Sequence, residues 1–254
     1  MCETCGCENQ KESFAILNSH RSTEIRLDQN IDYNNDLKKS IAIEKDVLFK
    51  NNDEAKSIRL LLHSKNIFAV NLMSSPGSGK TSILEKTIEK IGDKISISVI
   101  EGDQHTSNDA DRINLLGIPS IQINTENGCH LEAKMVNYAI QELNPQANSL
   151  LFIENVGNLV CPGLFDIGEQ LRVVVVSVTE GDDKPTKYKH MFREADVCII
   201  NKLDLLPYLP SQLSVLKSNI EKINPNIKLF EMSAFKETGI DKWCQYLLDL
   251  MKKP

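Results

Sequence analysis

Several hallmarks of other protein classes are missing from this chain. No stretch reaches the ~18 consecutive apolar residues that a membrane-spanning helix needs. The N-terminus has neither the basic start nor the apolar core of a secretory signal. Positive charge is not in excess: 29 Lys and Arg against 35 Asp and Glu give a net charge of -6, opposite to the basic faces that nucleic acid selects. Seven cysteines in 254 residues are too sparse for a disulfide scaffold, which a reducing compartment disfavours anyway. No internal repeat is visible. These absences leave a cytoplasmic protein with neither nucleic-acid nor membrane partners as the expectation. The length suits one large domain, or one domain with an appendage, burying roughly 70–75% of the surface of its unfolded chain.

The cysteines that are present are unevenly placed. Cys2, Cys5 and Cys7 lie within the first seven residues, where disorder concentrates and core packing is a poor explanation. Cys198, in the apolar run VCII, and Cys244, in an amphipathic pattern, read as small buried hydrophobes. From Glu8 to about Asn35 the chain is polar, without helical or strand periodicity. Residues 1–35 are therefore expected to form a flexible tail and linker carrying the cysteine tip, and 36–254 a folded domain with a leading helix near 36–64.

Beyond that helix, strand-like runs at 67–73, 95–100, 120–123, 150–154, 173–178, 197–201 and 227–232 alternate with helical patterns. The patterns fall near 80–91, 107–116, 130–143, 185–195, 210–223 and 239–252. Continuous β-branched runs separated by helices indicate a parallel sheet covered on both faces. The expected fold is α/β: a doubly wound, mostly parallel sheet of about seven strands with helices on both faces. Ligands of such folds bind beyond the carboxyl ends of the strands.

The first of these strand ends runs into SSPGSGKTS. Residues 74–81 match the P-loop G-x-x-x-x-G-K-[ST], with Ser74 replacing the first glycine. Gly77, Ser78 and Gly79 allow backbone N–H groups to curl around phosphate oxygens, and the helix that begins near Lys80 offers its positive end. Lys80 is expected to reach the β- and γ-phosphates, the Thr81 hydroxyl to bind Mg²⁺, and Ser82 to belong to the same nucleotide site. Two further strand ends carry carboxylates: Asp103 as a second Mg²⁺ ligand, and Glu154, with Gly157 letting the backbone approach a γ-phosphate. Either carboxylate is a candidate to orient the attacking water.

Asn201-Lys202-Leu203-Asp204 follows another strand. This is N-K-x-D, whose carboxylate accepts from guanine N1–H and the exocyclic amine, a donor pair that adenine lacks. Ser233 and Ala234 would complete the base pocket, so the nucleotide is GTP. The loop VTEGDDKPTKY follows a strand as well, and its Lys184 and Lys187 are candidates to reach nucleotide or a second subunit.

Cys129-His130, in NGCHLEA, and Cys161, in ENVGNLVCP, are far apart in sequence but close to the same strand ends. Thiolate plus imidazole suits Zn²⁺ or Ni²⁺. Isolated Cys and His residues are more often structural, and the position of Cys161, after the segment that would sense a γ-phosphate, is what favours a metal site. His105 reads as a polar loop residue, and His20, His63 and His190 as surface or helix residues.

Taken in order, MCETCGC, NLMSSPGSGKTS, IEGDQHTSNDADRI, GCHLEA, FIENVGNLVCP, VTEGDDKPTKY and INKLDLL resemble the hydrogenase nickel-incorporation GTPases, the HypB family of metal-handling P-loop GTPases. The resemblance spans nearly the whole chain. It implies a slow GTPase that dimerises with GTP and delivers nickel to a hydrogenase precursor, alongside a small HypA-like nickel and zinc accessory protein. It also implies a metal site of Cys129, His130 and Cys161 at the dimer interface. A tight nickel site would form from Cys2, Cys5 and Cys7 with the terminal amine, donors that a flexible tip can wrap around Ni²⁺. The chain departs from some relatives in two respects. Residues 8–63 hold only His20 and His63, predicting little nickel storage, and Lys134 stands near the place of an additional His. Service to urease or another metalloenzyme, a non-enzymatic nickel buffer and a zinc regulator are the competing readings.

Overall fold

Four apolar runs form the middle of the sheet: β2 (Phe68–Ser74), β5 (Leu150–Glu154), β6 (Leu171–Ser177) and β7 (Val197–Asn201). Val173 to Val176 are fully buried, so successive side chains of β6 face apolar layers on both sides of the sheet. Each contributes roughly 1.5–3 kcal/mol relative to exposure. This computed structural model describes residues 15–17, 36–103, 112–113, 115–126, 128–210 and 212–252. Cys2, Cys5, Cys7 and His105 lie outside the described residues, as does most of the helix expected near 107–116.

The sheet has eight strands in the order β1-β4-β3-β5-β2-β6-β7-β8, with β1 (Ala15–Leu17), β3 (Ile97–Asp103), β4 (Ser120–Asn124) and β8 (Lys228–Glu231) completing it. Seven strands are parallel; β1 pairs antiparallel with β4, Ala15 opposite Asn124. That strand corrects the expectation that the polar stretch 8–35 contains none. Three residues are too few to display alternation, yet they satisfy backbone groups along β4 that would otherwise form an open edge. The remaining expectations for the sheet agree with the structure to within a few residues. The largest shift is β3, which runs on through Glu101, Gly102 and Asp103 instead of stopping at Ile100.

Helices α1 (Asp36–Ser64) and α3 (Ala133–Leu143) cover one side of the β3–β5 half. Helices α2 (Lys80–Ile91) and α7 (Ile240–Met251) cover the opposite face, where the Trp243 indole donates to Thr87 Oγ1 at 3.1 Å. The short α4 (Lys184–Lys187) and α5 (Lys189–Glu194) precede β7, and α6 (Leu213–Ile223) precedes β8. Met191, Phe192, Leu216 and Ile220, from α5 and α6, pack over Val174, Val176 and Cys198. No helix among the described residues is long and apolar enough to cross a membrane. Because β3 to β5 lie on one side of β2 and β6 to β8 on the other, strand order reverses at β2. A crevice therefore opens beyond its carboxyl end.

Candidate nucleotide and metal site

A cavity of about 510 Å³ occupies that crevice. Its floor is the turn from β2 to α2, and its walls are the carboxyl ends of β3 and β5. Gly77 and Gly79 have φ of 74° and 97°, the left-handed region that glycine adopts without strain. At Gly79 a Cβ would also collide with the Asn201 carboxamide. Lys80 Nζ donates to Ser74 Oγ at 2.8 Å, so the hydroxyl that replaces the usual glycine holds the lysine in the cradle. The Ser75 hydroxyl donates to Glu180, tying the turn to the segment after β6.

Thr81 Oγ1 donates to Glu154 Oε1 at 2.7 Å. Glu101 stands opposite Glu154 in the β3–β5 register, and both line the cavity with Asp103. The sequence reading selected Asp103 and Glu154 and missed Glu101. Two-residue alternation along β3 puts Glu101 and Asp103 on one face, a signal that becomes visible once the strand is known to continue that far. A threonine hydroxyl and three carboxylates form a hard-oxygen donor set of the kind that Mg²⁺ prefers.

At the other end, Asn201 Nδ2 donates to Ser78 O at 3.0 Å while its Oδ1 accepts from Ala234 N at 3.1 Å. Lys202 Nζ donates to Gly77 O at 2.5 Å. Asp204 Oδ1 accepts from the Ser233 hydroxyl at 2.5 Å. One buried carboxamide thus braces the phosphate turn against the loop that carries Ser233 and Ala234.

Cys129, His130 and Cys161 converge, their ligand atoms all within 4.8 Å of one another. The two sulfurs are 2.8 Å apart without a disulfide between them; Cys129 Sγ is 3.5 Å from His130 Nδ1. The His130 ring stacks on Phe165, centroids 3.9 Å apart, with Nε2 turned towards Glu132 Oε1 at 3.9 Å. The hydrogen bond between Cys129 and Cys161, aided by His130 and opposed by burial, brings the Cys129 thiol down to about 4. Burial, with the Glu180 charge, pushes Cys198 well above the thiol range, and burial with the Asp241 charge, opposed by Lys90 and Lys94, lifts Cys244 to about 11. The cluster's sulfur is thus primed as thiolate, the form that binds metal, whereas the two core cysteines stay protonated.

The cavity and the cluster share a loop. Asn155, Val156 and Gly157 line the cavity, and Cys161 follows on the same segment. Asn155 Oδ1 accepts from Leu131 N at 3.1 Å, and Asn158 Nδ2 donates to Cys129 O at 3.3 Å. The backbone on both sides of His130 is thereby pinned to the wall of the cavity. Neither asparagine has a sequence signal of its own. A Cβ at Gly157 would lie 3.1 Å from Pro76 Cγ, so this loop also packs directly against the phosphate turn.

Residues 68–231 match the family described as CobW/HypB/UreG, nucleotide-binding domain. Hydrogenase maturation factor HypB of Rhizobium leguminosarum bv. viciae is 51% identical over 207 residues, covering 82% of this chain and 69% of that protein. The chain belongs to the HypB family. A hydrogenase/urease maturation factor HypB of Helicobacter hepaticus is 40% identical over 221 residues, 85% of this chain and 89% of that protein. HypB from Archaeoglobus fulgidus superposes with a TM-score of 0.76 at 38% identity, covering 81% of this chain and all of that one. HypB from Helicobacter pylori, solved in complex with nickel, gives 0.75 at 36% identity, covering 80% and 96%. The α/β P-loop architecture expected from the sequence is thus the architecture of the HypB family.

Proposed function

We propose that this chain binds and slowly hydrolyses GTP and uses the nucleotide state to govern nickel delivery during [NiFe] hydrogenase maturation. It would do so in the cytoplasm as a GTP-dependent homodimer, with a HypA-like accessory protein and the hydrogenase large-subunit precursor as partners. The loop following β5 carries this reading, because it walls the cavity and bears Cys161 while holding Cys129 and Leu131. A γ-phosphate that shifts this loop displaces Cys161 directly and, through Asn155 and Asn158, pulls on the backbone that carries Cys129 and His130. By reciprocity, a metal ion at the cluster changes GTP affinity by the same factor, typically about 5–150-fold.

Lys80 would leave Ser74 for the β- and γ-phosphates, and Thr81, Asp103, Glu154 and the neighbouring Glu101 would hold Mg²⁺. Magnesium bound there neutralises phosphate charge. Asp103 or Glu154 would orient the attacking water, while Asn201, Lys202, Asp204, Ser233 and Ala234 enclose guanine. At Cys129, His130 and Cys161 two thiolates and an imidazole suit Ni²⁺ or Zn²⁺. Cys2, Cys5 and Cys7 would form the separate tail site for nickel.

The reading is tested by titrating Ni²⁺ into the untagged protein with GDP and with a non-hydrolysable GTP analogue, beside the Lys80→Ala and Cys161→Ser variants. Affinity should differ between the two nucleotides in the parent and not in Lys80→Ala. Cys161→Ser should weaken cluster binding by more than about 100-fold, since disturbing a ligand's support alone costs 10–100-fold. Identical affinity with both nucleotides would remove the coupling and leave a nickel buffer. The dual name of the Helicobacter hepaticus relative favours a second acceptor, urease, in cells that make that enzyme.

A further inference from the structure

Lys80, Arg112 and Lys202 border the cavity. The P-loop and the N-K-x-D motif account for the two lysines, but nothing so far accounts for Arg112. Its guanidinium grips Glu85 on α2 through Nε to Oε1 at 2.8 Å and Nη2 to Oε2 at 2.5 Å, and Nη2 lies 3.5 Å from Ser82 Oγ. Glu85 lies four residues after Thr81 on α2, hence on the same helix face. The guanidinium is therefore held on the face of the helix that presents Thr81, at the rim of the cradle. The arginine side chain is 44% exposed, while that of Glu85 is 19% exposed. A triphosphate offers the guanidinium fork more negative charge than a single carboxylate does, so it competes with Glu85 for the arginine.

We propose that Arg112 is a catalytic residue of GTP hydrolysis acting within its own chain: Glu85 holds it at the rim, and the phosphates of GTP draw it across. The proposal rests on the reading of the cavity as a GTPase site. A water oxygen attacks the γ-phosphorus while the bond from that phosphorus to the β–γ bridging oxygen breaks. GDP and inorganic phosphate result, and one proton passes to solvent. As the bond breaks, negative charge gathers on the bridging oxygen and the β-phosphate. A guanidinium placed there binds the transition state more strongly than the ground state.

Single-turnover hydrolysis of GTP, with fluorescent GDP binding as the measure of an intact fold, tests this in Arg112→Ala, Arg112→Lys and Glu85→Gln. Arg112→Ala should slow hydrolysis about 10–100-fold, the gap between switch GTPases with and without an arginine in cis, with GDP affinity within about threefold of the parent. Arg112→Lys should fall between, and Glu85→Gln, which frees the arginine, should be at least as fast as the parent. A rate for Arg112→Ala within twofold of the parent would overturn the assignment. Equal slowing in Arg112→Ala and Glu85→Gln would reduce the pair to a structural tie, and equal loss of affinity for GDP and GTP at an unchanged rate would make Arg112 a binding residue. A parent that binds GTP but never turns it over would instead sink the hydrolysis reading itself, and this role with it.

Discussion

Replacing Asn155 by alanine should destabilise the fold and disconnect the two sites at once. The side chain is 1% exposed. Its Oδ1 accepts from Leu131 N at 3.1 Å and Val156 N at 3.0 Å, and its Nδ2 donates to Asn71 Oδ1 at 3.3 Å. Truncation strands two buried backbone donors and one carboxamide oxygen. Each such loss costs about 1–3 kcal/mol, less where water enters the space left behind, so the total should be about 2–4 kcal/mol. For a domain of this size that corresponds to a fall in melting temperature of about 5–15 °C. Thermal unfolding of the nucleotide-free protein measures the first effect. Nickel titration at a temperature where the variant remains folded measures the second, and the difference between GDP and GTP-analogue states should disappear. A shift under 2 °C would show that Asn155 does not hold the loop. Full nucleotide dependence in a destabilised variant would mean that coupling takes another route.

Gly79→Ala should abolish nucleotide binding, because φ is 97° and the added methyl meets the Asn201 carboxamide; fluorescent GDP affinity within tenfold of the parent would refute that account. Away from the cavity, Arg59 bonds Asp166 at 2.7 and 2.9 Å, and Gly168 N donates to the same carboxylate. Burial pushes the Asp166 carboxyl up, but these bonds and the Arg172 charge outweigh it and hold it below its usual 3.8. A lowered carboxyl value contributes stability that is present above pH 3.8 and is lost as pH falls through the folded-state value. Asp166→Asn should therefore cost about 1 kcal/mol at pH 7, kept small by solvent screening, and less at pH 3. Equal losses in denaturant unfolding at the two pH values would contradict this.

Most of the sheet could be read in the sequence because each inner strand is a continuous apolar run bounded by turn residues, as LLFIE and VCIIN are. Motif residues were equally legible where backbone geometry demands a particular type, as at Gly79, or where a whole spacing recurs, as in N-K-x-D. Two kinds of feature were not. Glu101 was hidden because strand ends are set by pairing with neighbours: Gly102 and Asp103 stay in β3 because β4 offers Ile123 and Asn124 opposite them. Asn155 and Asn158 were hidden because a hydrogen bond between segments more than twenty residues apart leaves no periodicity in either one. The approach of Cys129 to Cys161 was visible only as chemistry in search of a geometry; the fold supplied the 2.8 Å.

The two hydrogen bonds of Asn201, donated to Ser78 O and accepted from Ala234 N, have a bearing on how a nucleotide would be discriminated. A base that fails to seat displaces Ala234, and through one rigid amide it slackens the turn that grips the phosphates. On the proposed reading, an ill-fitting nucleotide is rejected at both of its ends, so selectivity is expressed in residence time more than in the base pocket alone. Asp204 bonds the Ser233 hydroxyl and touches neither of the two groups that Asn201 holds. The choice of base can therefore be rewritten there while the phosphate grip stays intact.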